Sequence, residues 1–441
     1  MYKRQAQNGA ETLLIEAGPF IGGDLASGLP ILGCCNSLGR WIVGGVVTDL
    51  LERCKALGGY VGCLFDWRTL WGVCVHPDVT RLAASELLAD RSVSVLINSF
   101  VADVRAEGGV IRQVGILGRG RRVAVHADTF VDCTGDADVA FLAGAQCEKG
   151  GPNGEFQPVS MVFQMAGVDF DRLLDWVGDH PEELLVAENP IITKTRVECA
   201  AEIRNSGFPF FVISAEGPLL GEAIAADEMY PCTGIFMSPT SMANREVVLN
   251  TTRIADIDAT DSVQVSSAFI PLMHQVRTCM EFAQRRLPGF GAAGLSRIGP
   301  RIGVRETRRV VGEHQLTAED VIEGTKSEEG IARGGHHVDI HGSGTYQKRI
   351  PIKEGRSYDI PYGCLIPRGL KNLLVAGRCI SSTRDANGSA RVMGTCMATG
   401  QAAGTAAALC AAQGLADVRD LPVQGLRQAL RTQCAILEGT S

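Results

Sequence analysis

The chain has 441 residues, of which 45% are hydrophobic and 21% charged, so it is globular and long enough for two or three domains around substantial cores. A formal charge of -7 without a basic block excludes a phosphate-backbone surface for nucleic acid, while local arginines leave room for a small anionic substrate. The 15 cysteines stand singly except for Cys34-Cys35, with no CxxC, which excludes a cluster or zinc site built from consecutive ligands and fits the reduced thiols of a cytoplasmic protein.

Along the chain, Met1 to Gln5 has no apolar stretch after its basic residues and does not read as a signal peptide. Ala6 to Gly9 reads as the last turn of a helix capped at Asn8-Gly9, and Glu11 to Glu16 as a buried parallel strand. The chain therefore opens partway through a βαβ unit. Glycine loops around Gly22-Gly23 and Gly44-Gly45 lead to a helix over Val46 to Leu57, and a second helix is predicted over Pro77 to Leu88. Strands follow, with 101–116 and 121–132 as a meander turning on Glu107-Gly108-Gly109, and the second running into Cys133-Thr134-Gly135-Asp136.

From about 150 to 300 the character changes to aromatic and Met-rich segments mixed with helical patterns at 168–177 and 264–286, which predicts an inserted α+β domain. Beyond it, Lys371 to Ala376 reads as a buried strand and Met393 to Leu409 as a helix of small residues. That last stretch, extended to Gly414, is broken by Thr395, Thr399, Gln401 and Gln413, so no membrane span is expected.

Five groups of residues carry chemistry. Glu16 ends an apolar strand, where a dinucleotide fold places the acid that binds ribose hydroxyls; a solvated strand-end glutamate reads the same way. In Val131 to Asp138 a strand stops on Gly135 amid carboxylates, either to bring backbone to a ligand or simply to cap the next helix through Asp136 or Asp138. Leu373 to Cys379 places Gly377 and Arg378 at a strand end. The helix opening near Gly394 then offers free N–H groups and a positive dipole end. Arg305, Arg308 and Arg309 fall at helical spacing, as an anion clamp or as ion pairs with Glu306 and Glu313; Arg253 is a weaker candidate of the same kind. Finally, His336 to His341 alternates, so that on a strand His337, Asp339 and His341 share a face as a metal triad, an acid/base group or a polar strand face.

The order of these motifs resembles the FAD-dependent oxidoreductase family related to the heterodisulfide reductase A-like flavoproteins, and more distantly the fumarate reductase flavoprotein group. The resemblance runs from residue 6 to about 414 and includes Gln157 to Ser160, Gly303 to Arg309, Ile331 to Gly335, Ile360 to Tyr362 and Leu365 to Gly369. It implies an α/β fold: a discontinuous Rossmann-like FAD domain (1–150 and 301–441) with an inserted α+β substrate domain (151–300). It also implies Glu16 at the adenosine ribose, Thr134-Gly135-Asp136 at the adenine, Gly377-Arg378 at the ribityl-pyrophosphate, and Thr395, Cys396 and Met397 at the isoalloxazine. His341 is the preferred acid/base residue, with Arg305 for an anionic small-molecule substrate, and no metal. Hydride transfer at flavin N5 is the expected chemistry. The family's first strand and GxGxxG loop, about 20–30 residues, are expected to be missing, which weakens FAD binding. Two alternatives stand beside this: a truncated, non-catalytic fragment, or a flavin subunit passing electrons to an iron-sulfur redox partner.

Overall fold

A computed structural model describes residues 9–439. Apart from Gly9, the helix end expected at 6–9 lies outside the described residues. The first third contains β1 (Leu13–Ile15), β2 (Ile31–Leu32), α1 (Val46–Ala56), β3 (Tyr60–Phe65), β4 (Trp71–Val75), α2 (Pro77–Ala89), β5 (Ser94–Leu96), β6 (Phe100–Glu107), β7 (Val110–Gly118), β8 (Arg121–Val125) and β9 (Phe130–Asp132). Next come α3 (Asp138–Leu142), β10 (Cys147–Lys149), β11 (Phe163–Ala166), α4 (Phe170–Asp179), α5 (Arg196–Ser206), β12 (Phe211–Ser214), α6 (Pro218–Ala225), β13 (Gly234–Ser241), β14 (Glu246–Asn250), α7 (Ser262–Arg286) and β15 (Gly294–Ile298). The last third holds β16 (Arg308–Val310), α8 (Ala318–Glu323), β17 (Gly330–Gly334), β18 (Val338–His341), β19 (Gln347–Ile350), β20 (Tyr358–Pro361), β21 (Leu373–Val375), α9 (Arg384–Ala390), α10 (Met393–Gln413) and α11 (Val423–Thr432).

Two parallel pairs form the Rossmann-like part. β1 pairs with β5 through Leu14 and Val95, and β9 pairs with β21 through Val131 and Leu374. Consecutive residues Thr12 to Glu16 of the first pair and Thr129 to Asp132 of the second line one cavity. Side chains of a strand alternate between faces, so an unbroken run on one cavity means that each pair turns a strand edge toward it.

The predicted strand 121–132 is in fact two. β8 closes the antiparallel β6-β7-β8 meander, whereas β9 leaves it after His126-Ala127-Asp128 to pair in parallel with β21. Between the two thirds, the five-stranded sheet β12-β13-β14-β11-β15 builds its own apolar core with α4, α5 and α7 around Phe163, Leu173, Phe211 and Phe282. Asp169 caps α4, and Asp261 caps α7, through their side chains, which is why those helices start there.

α10 organises the remainder. Its Gly400, Ala402, Ala403, Gly404 and Ala406 are buried, so their small side chains let neighbouring backbone come close. Gln401 Oε1 accepts the Val46 N–H at 3.0 Å and so caps α1, whose Gly45 N-cap residue has no side chain to do it. At the other end of α10 the contact is tighter still: a Cβ on Gly394 would lie 2.7 Å from the Cys34 nitrogen and from the Gly33 carbonyl carbon. Gly394→Ala is therefore expected to force the helix start off the 32–34 loop and to cost about 1–3 kcal/mol; thermal unfolding checks it, and an unchanged Tm would refute the close approach.

Candidate active site

A cavity of about 1280 Å³ runs from the two parallel pairs, past the start of α10, to the inserted sheet. It exceeds the ~300–1,000 Å³ of common small-molecule pockets, which leaves room for a dinucleotide and a second molecule. Of the candidate site residues, Thr395, Arg308 and Arg309 do not line it; the others do.

At the first end, Glu16 sits half-buried just beyond β1, where the parallel ladder stops, and its Oε1 accepts the Gly18 N–H at 2.7 Å. Opposite, the turn after β9 is held by Asp132 rather than by the later acids. Asp132 Oδ1 accepts the Thr134 N–H and hydroxyl, and its Oδ2 accepts the Ala140 N–H. Thr134 Oγ1 in turn accepts the Asp136 and Asp138 N–H groups. Capping by Asp136 or Asp138 is thus corrected: Asp136 accepts from Arg378 and the Thr307 hydroxyl, and Asp138 from Arg308. Gly135 makes the turn at φ 80, which a side chain would strain.

Arg378 is not a free charge. Its guanidinium donates to the Gly135 carbonyl, the Val304 carbonyl and the Asp136 carboxylate, tying three segments together. Gly377, at φ 84, leaves open space, with no atom closer than Cys396 Sγ at 3.8 Å to where a Cβ would be. At the opening turn of α10, Cys396 and Met397 face the cavity, and burial pushes the Cys396 thiol up to about 12, so it stays protonated. Thr395 packs beneath instead, against Gly33, and its buried Oγ1 has no hydrogen-bond partner. No side chain caps α10, so its first N–H groups remain available.

The second end is cationic. The helical-spacing expectation for Arg305, Arg308 and Arg309 is overturned: Arg305 lies in a loop, and Arg308 and Arg309 lie on β16, paired with β10. Strand geometry sends the latter two apart, Arg308 to Asp138 and over the Phe141 ring, Arg309 inward to the Ser382 and Gly150 carbonyls. The expected partners also differ, since Glu306 pairs with Arg384 and Glu313 with Arg419. Arg305 alone reaches the cavity, where its Nη1 donates to the Pro158 carbonyl and Ser160 Oγ, both at 2.6 Å. Among the described residues no carboxylate lies within ion-pair distance of it. Burial, reinforced by Arg391 and Arg253, pulls its guanidinium down to about 9.

β18 presents Asp339 and His341 to the cavity and buries Val338 and Ile340 on its other face, as the alternation predicts, with His337 just before it. His341 Nε2 lies 2.9 Å from Asp339 Oδ2, and Gln347 Nε2 donates to Asp339 Oδ1 at 2.6 Å. Burial, helped by Arg305 and opposed by Asp339, lowers His341 to about 4. Asp339 stays ionised: burial would raise it, but His341, His337 and Arg391 together hold it well below the usual carboxylate range. The metal-triad reading falls away, because no three ligand-type side chains among the described residues converge as a metal site.

Two residues escaped sequence reasoning. Arg391, just before α10, is half-buried beside Asp339 and donates to Gln157 Oε1 at 3.3 Å and to the Asp339 carbonyl at 3.1 Å. Gln157 also accepts the His341 N–H at 3.1 Å, and it is anchored by Glu306, which accepts its backbone N–H at 2.6 Å. Both stand in stretches that the resemblance marks, Gln157 to Ser160 and the approach to α10, but their partners are distant in sequence and leave no local signal.

No curated protein matches the chain. Solved structures similar to it include a geranylgeranyl bacteriochlorophyll reductase-like protein from Thermoplasma acidophilum, 11% identical over 98% of this chain and 80% of that one, at a TM-score of 0.42. Another is a p-nitrophenol 4-monooxygenase from Pseudomonas putida, 9% identical over 97% and 79%, at 0.41. A third is the myxobacterial chondrochloren halogenase, described as FAD-dependent, 13% identical over 98% and 75%, at 0.46. The narrower likeness to heterodisulfide reductase A-like proteins finds no counterpart among these three. The chain matches the FAD dependent oxidoreductase family over residues 4–430, and it belongs to that family: an α/β flavoprotein enzyme whose cofactor is FAD.

Proposed function

We propose that the enzyme moves a hydride between a small anionic organic substrate and flavin N5, with FAD lying along the wall from Glu16 to α10 and the substrate against Arg305. The observation that carries this reading is the one cavity joining a dinucleotide-type strand end to a half-buried arginine without a carboxylate partner among the described residues. The division into FAD-binding parts 1–150 and 301–441 around a substrate domain 151–300 belongs to the same proposal, as do the heterodisulfide reductase A-like affiliation and the cytoplasmic location.

The residues present fit the cofactor. The opening turn of α10 offers N–H groups to negative charge, and Gly377 leaves space beside Cys396 at the cavity wall. Glu16 would accept from the ribose hydroxyls and the Thr134 to Asp136 turn would meet the adenine. Gly377 would contribute through its backbone at the ribityl-pyrophosphate, since Asp136 already neutralises Arg378. FAD, when bound, supplies two-electron chemistry.

The chain's own residues then bind the substrate and handle the proton. Arg305 and Arg253 hold an anion through charge-assisted bonds. With Asp339 ionised, the His341 Nε2–H donates to it and Nδ1 is left as the basic nitrogen. An anion beside Arg305 offsets the field that helps to depress His341, so its basicity rises on substrate binding.

On this reading the protein binds FAD, with Glu16 and the turn after β9 toward one end of the cavity and the start of α10 toward the other. Flavin fluorescence quenching and an FAD-dependent thermal shift measure it, and absence of both would sink the flavin site proposed here. In the FAD-loaded protein, reoxidation by an unsaturated or 2-oxo carboxylate should outrun that by its neutral ester, and Arg305→Gln should remove the preference.

A further inference from the structure

None of the 15 cysteines is in a disulfide, but two of them are neighbours across a sheet. Cys35 follows β2 and forms an isolated bridge with Trp41, while Cys63 lies in β3 opposite Val73 of β4. This brings their sulfurs to 3.8 Å although the residues are 28 apart in sequence. A rotation about the side-chain bonds closes such a gap to the ~2.05 Å of a disulfide, provided the Cβ atoms are suitably placed.

The two thiols are unequal. Cys35 is buried, whereas Cys63 is half-buried on β3, an edge strand in the order β2-β4-β3. The hydrogen bond between them holds the Cys63 thiol below its ordinary range and the Cys35 thiol above it; burial pushes the adjacent Cys34 and Cys74 thiols up. An accessible sulfur with raised thiolate character beside a protonated one is the arrangement of an attacking and a resolving cysteine.

We propose that Cys35 and Cys63 form a reversible dithiol/disulfide pair whose oxidant is a small-molecule disulfide. Deprotonated Cys63 attacks one sulfur of the oxidant, forming a mixed disulfide and releasing one thiolate. Cys35 then loses its proton and attacks Cys63 Sγ, forming the intramolecular bond and expelling the second thiolate. Both thiolates leave as thiols with the two cysteine protons, so the oxidant gains two electrons and the protein gives up two.

The pair sits behind the loop that meets the start of α10. Backbone of residues 32–34 lies against Gly394, and Met393 and Met397 pack on the apolar cluster that contains Cys34 and Cys35. Closing the bond ties the loop that supports the start of α10 to β3. The inference rests on the thiol geometry and stands whether or not the flavin reading does.

To test it, the purified, pre-reduced 441-residue chain is equilibrated with reduced and oxidised glutathione at varied ratio, alkylated and mapped by mass spectrometry. A cross-linked peptide pair joining Cys35 to Cys63, about 2 Da lighter than the two reduced peptides, is expected to rise from about one-tenth to nine-tenths occupancy over a 100-fold change in oxidation ratio and to vanish with dithiothreitol. Cys34→Ser should keep the link, and Cys35→Ser should stop at a single glutathione adduct on Cys63. The wild-type measurement decides the matter whatever the variants' stability: occupancy below about one-tenth at every ratio, or a link that uses Cys34, overturns the proposal.

Discussion

Replacing Glu306 with alanine is expected to cost about 2–4 kcal/mol of stability, the penalty for leaving two buried donors without an acceptor. Its side chain is fully buried and meets Arg384 through two bonds, at 2.8 and 3.0 Å, while also accepting the Gln157 N–H and its side-chain amide. Deletion leaves two donors of the buried Gln157 without an acceptor, while the half-buried Arg384 loses one of its two carboxylates and keeps Glu155. The damage extends to the candidate site, because Gln157 carries the His341 N–H and Arg391. Urea denaturation at pH 7 should show the loss as a lower midpoint; a change below about 1 kcal/mol would show that water replaces the carboxylate. Burial would raise the Glu306 carboxyl, but Arg384 and Gln157 bring it below its ordinary 4.5. The sign follows: this stabilisation is present above pH 4.5 and is lost as pH falls through the lower folded value.

A second large effect lies at mildly acid pH. His341 is lowered from 6.5 to about 4, chiefly by burial, and burial also lowers His336 and His337. The unfolded chain therefore takes up protons below pH 6.5 that the folded chain refuses, so stability falls as pH drops from 6.5 and levels off below the folded value. For His341 alone, about 1.4 kcal/mol per pH unit over that gap amounts to on the order of 3 kcal/mol. Asp339 acts in another window, losing its contribution only below its ordinary 3.8. Urea midpoints between pH 7 and 4.5 measure the slope. His341→Gln should flatten it, and an unchanged slope in that variant would refute the depressed imidazole.

The elements legible in the sequence are those whose signal is local. Helix α1 ends on Gly58, α2 begins on Pro77, and the β6–β7 turn on Gly108-Gly109 has both residues at positive φ. Alternation likewise placed Asp339 and His341 on one face. What escaped depends on partners far along the chain. Arg305 and Arg308 look like one face of a helix only until β10, some 160 residues earlier, recruits 308–310 as a strand. Arg378 looks like a free charge until Asp136, 242 residues away, takes it up. Thr395 shows why a helix start alone does not say which residue faces a ligand: Gly33, not the residue's own neighbours, decides its direction.

The pairing of β9 with β21 and the Arg378–Asp136 contact have a consequence for biosynthesis. A ribosome adds about 5–20 residues per second, so roughly 10–50 s separate the emergence of these two halves of one turn. The inserted sheet, whose core is drawn from residues 159–293, completes its contacts within that interval. The strand at 130–132 therefore waits without its parallel partner until the last quarter of the protein arrives, after the inserted domain has been made.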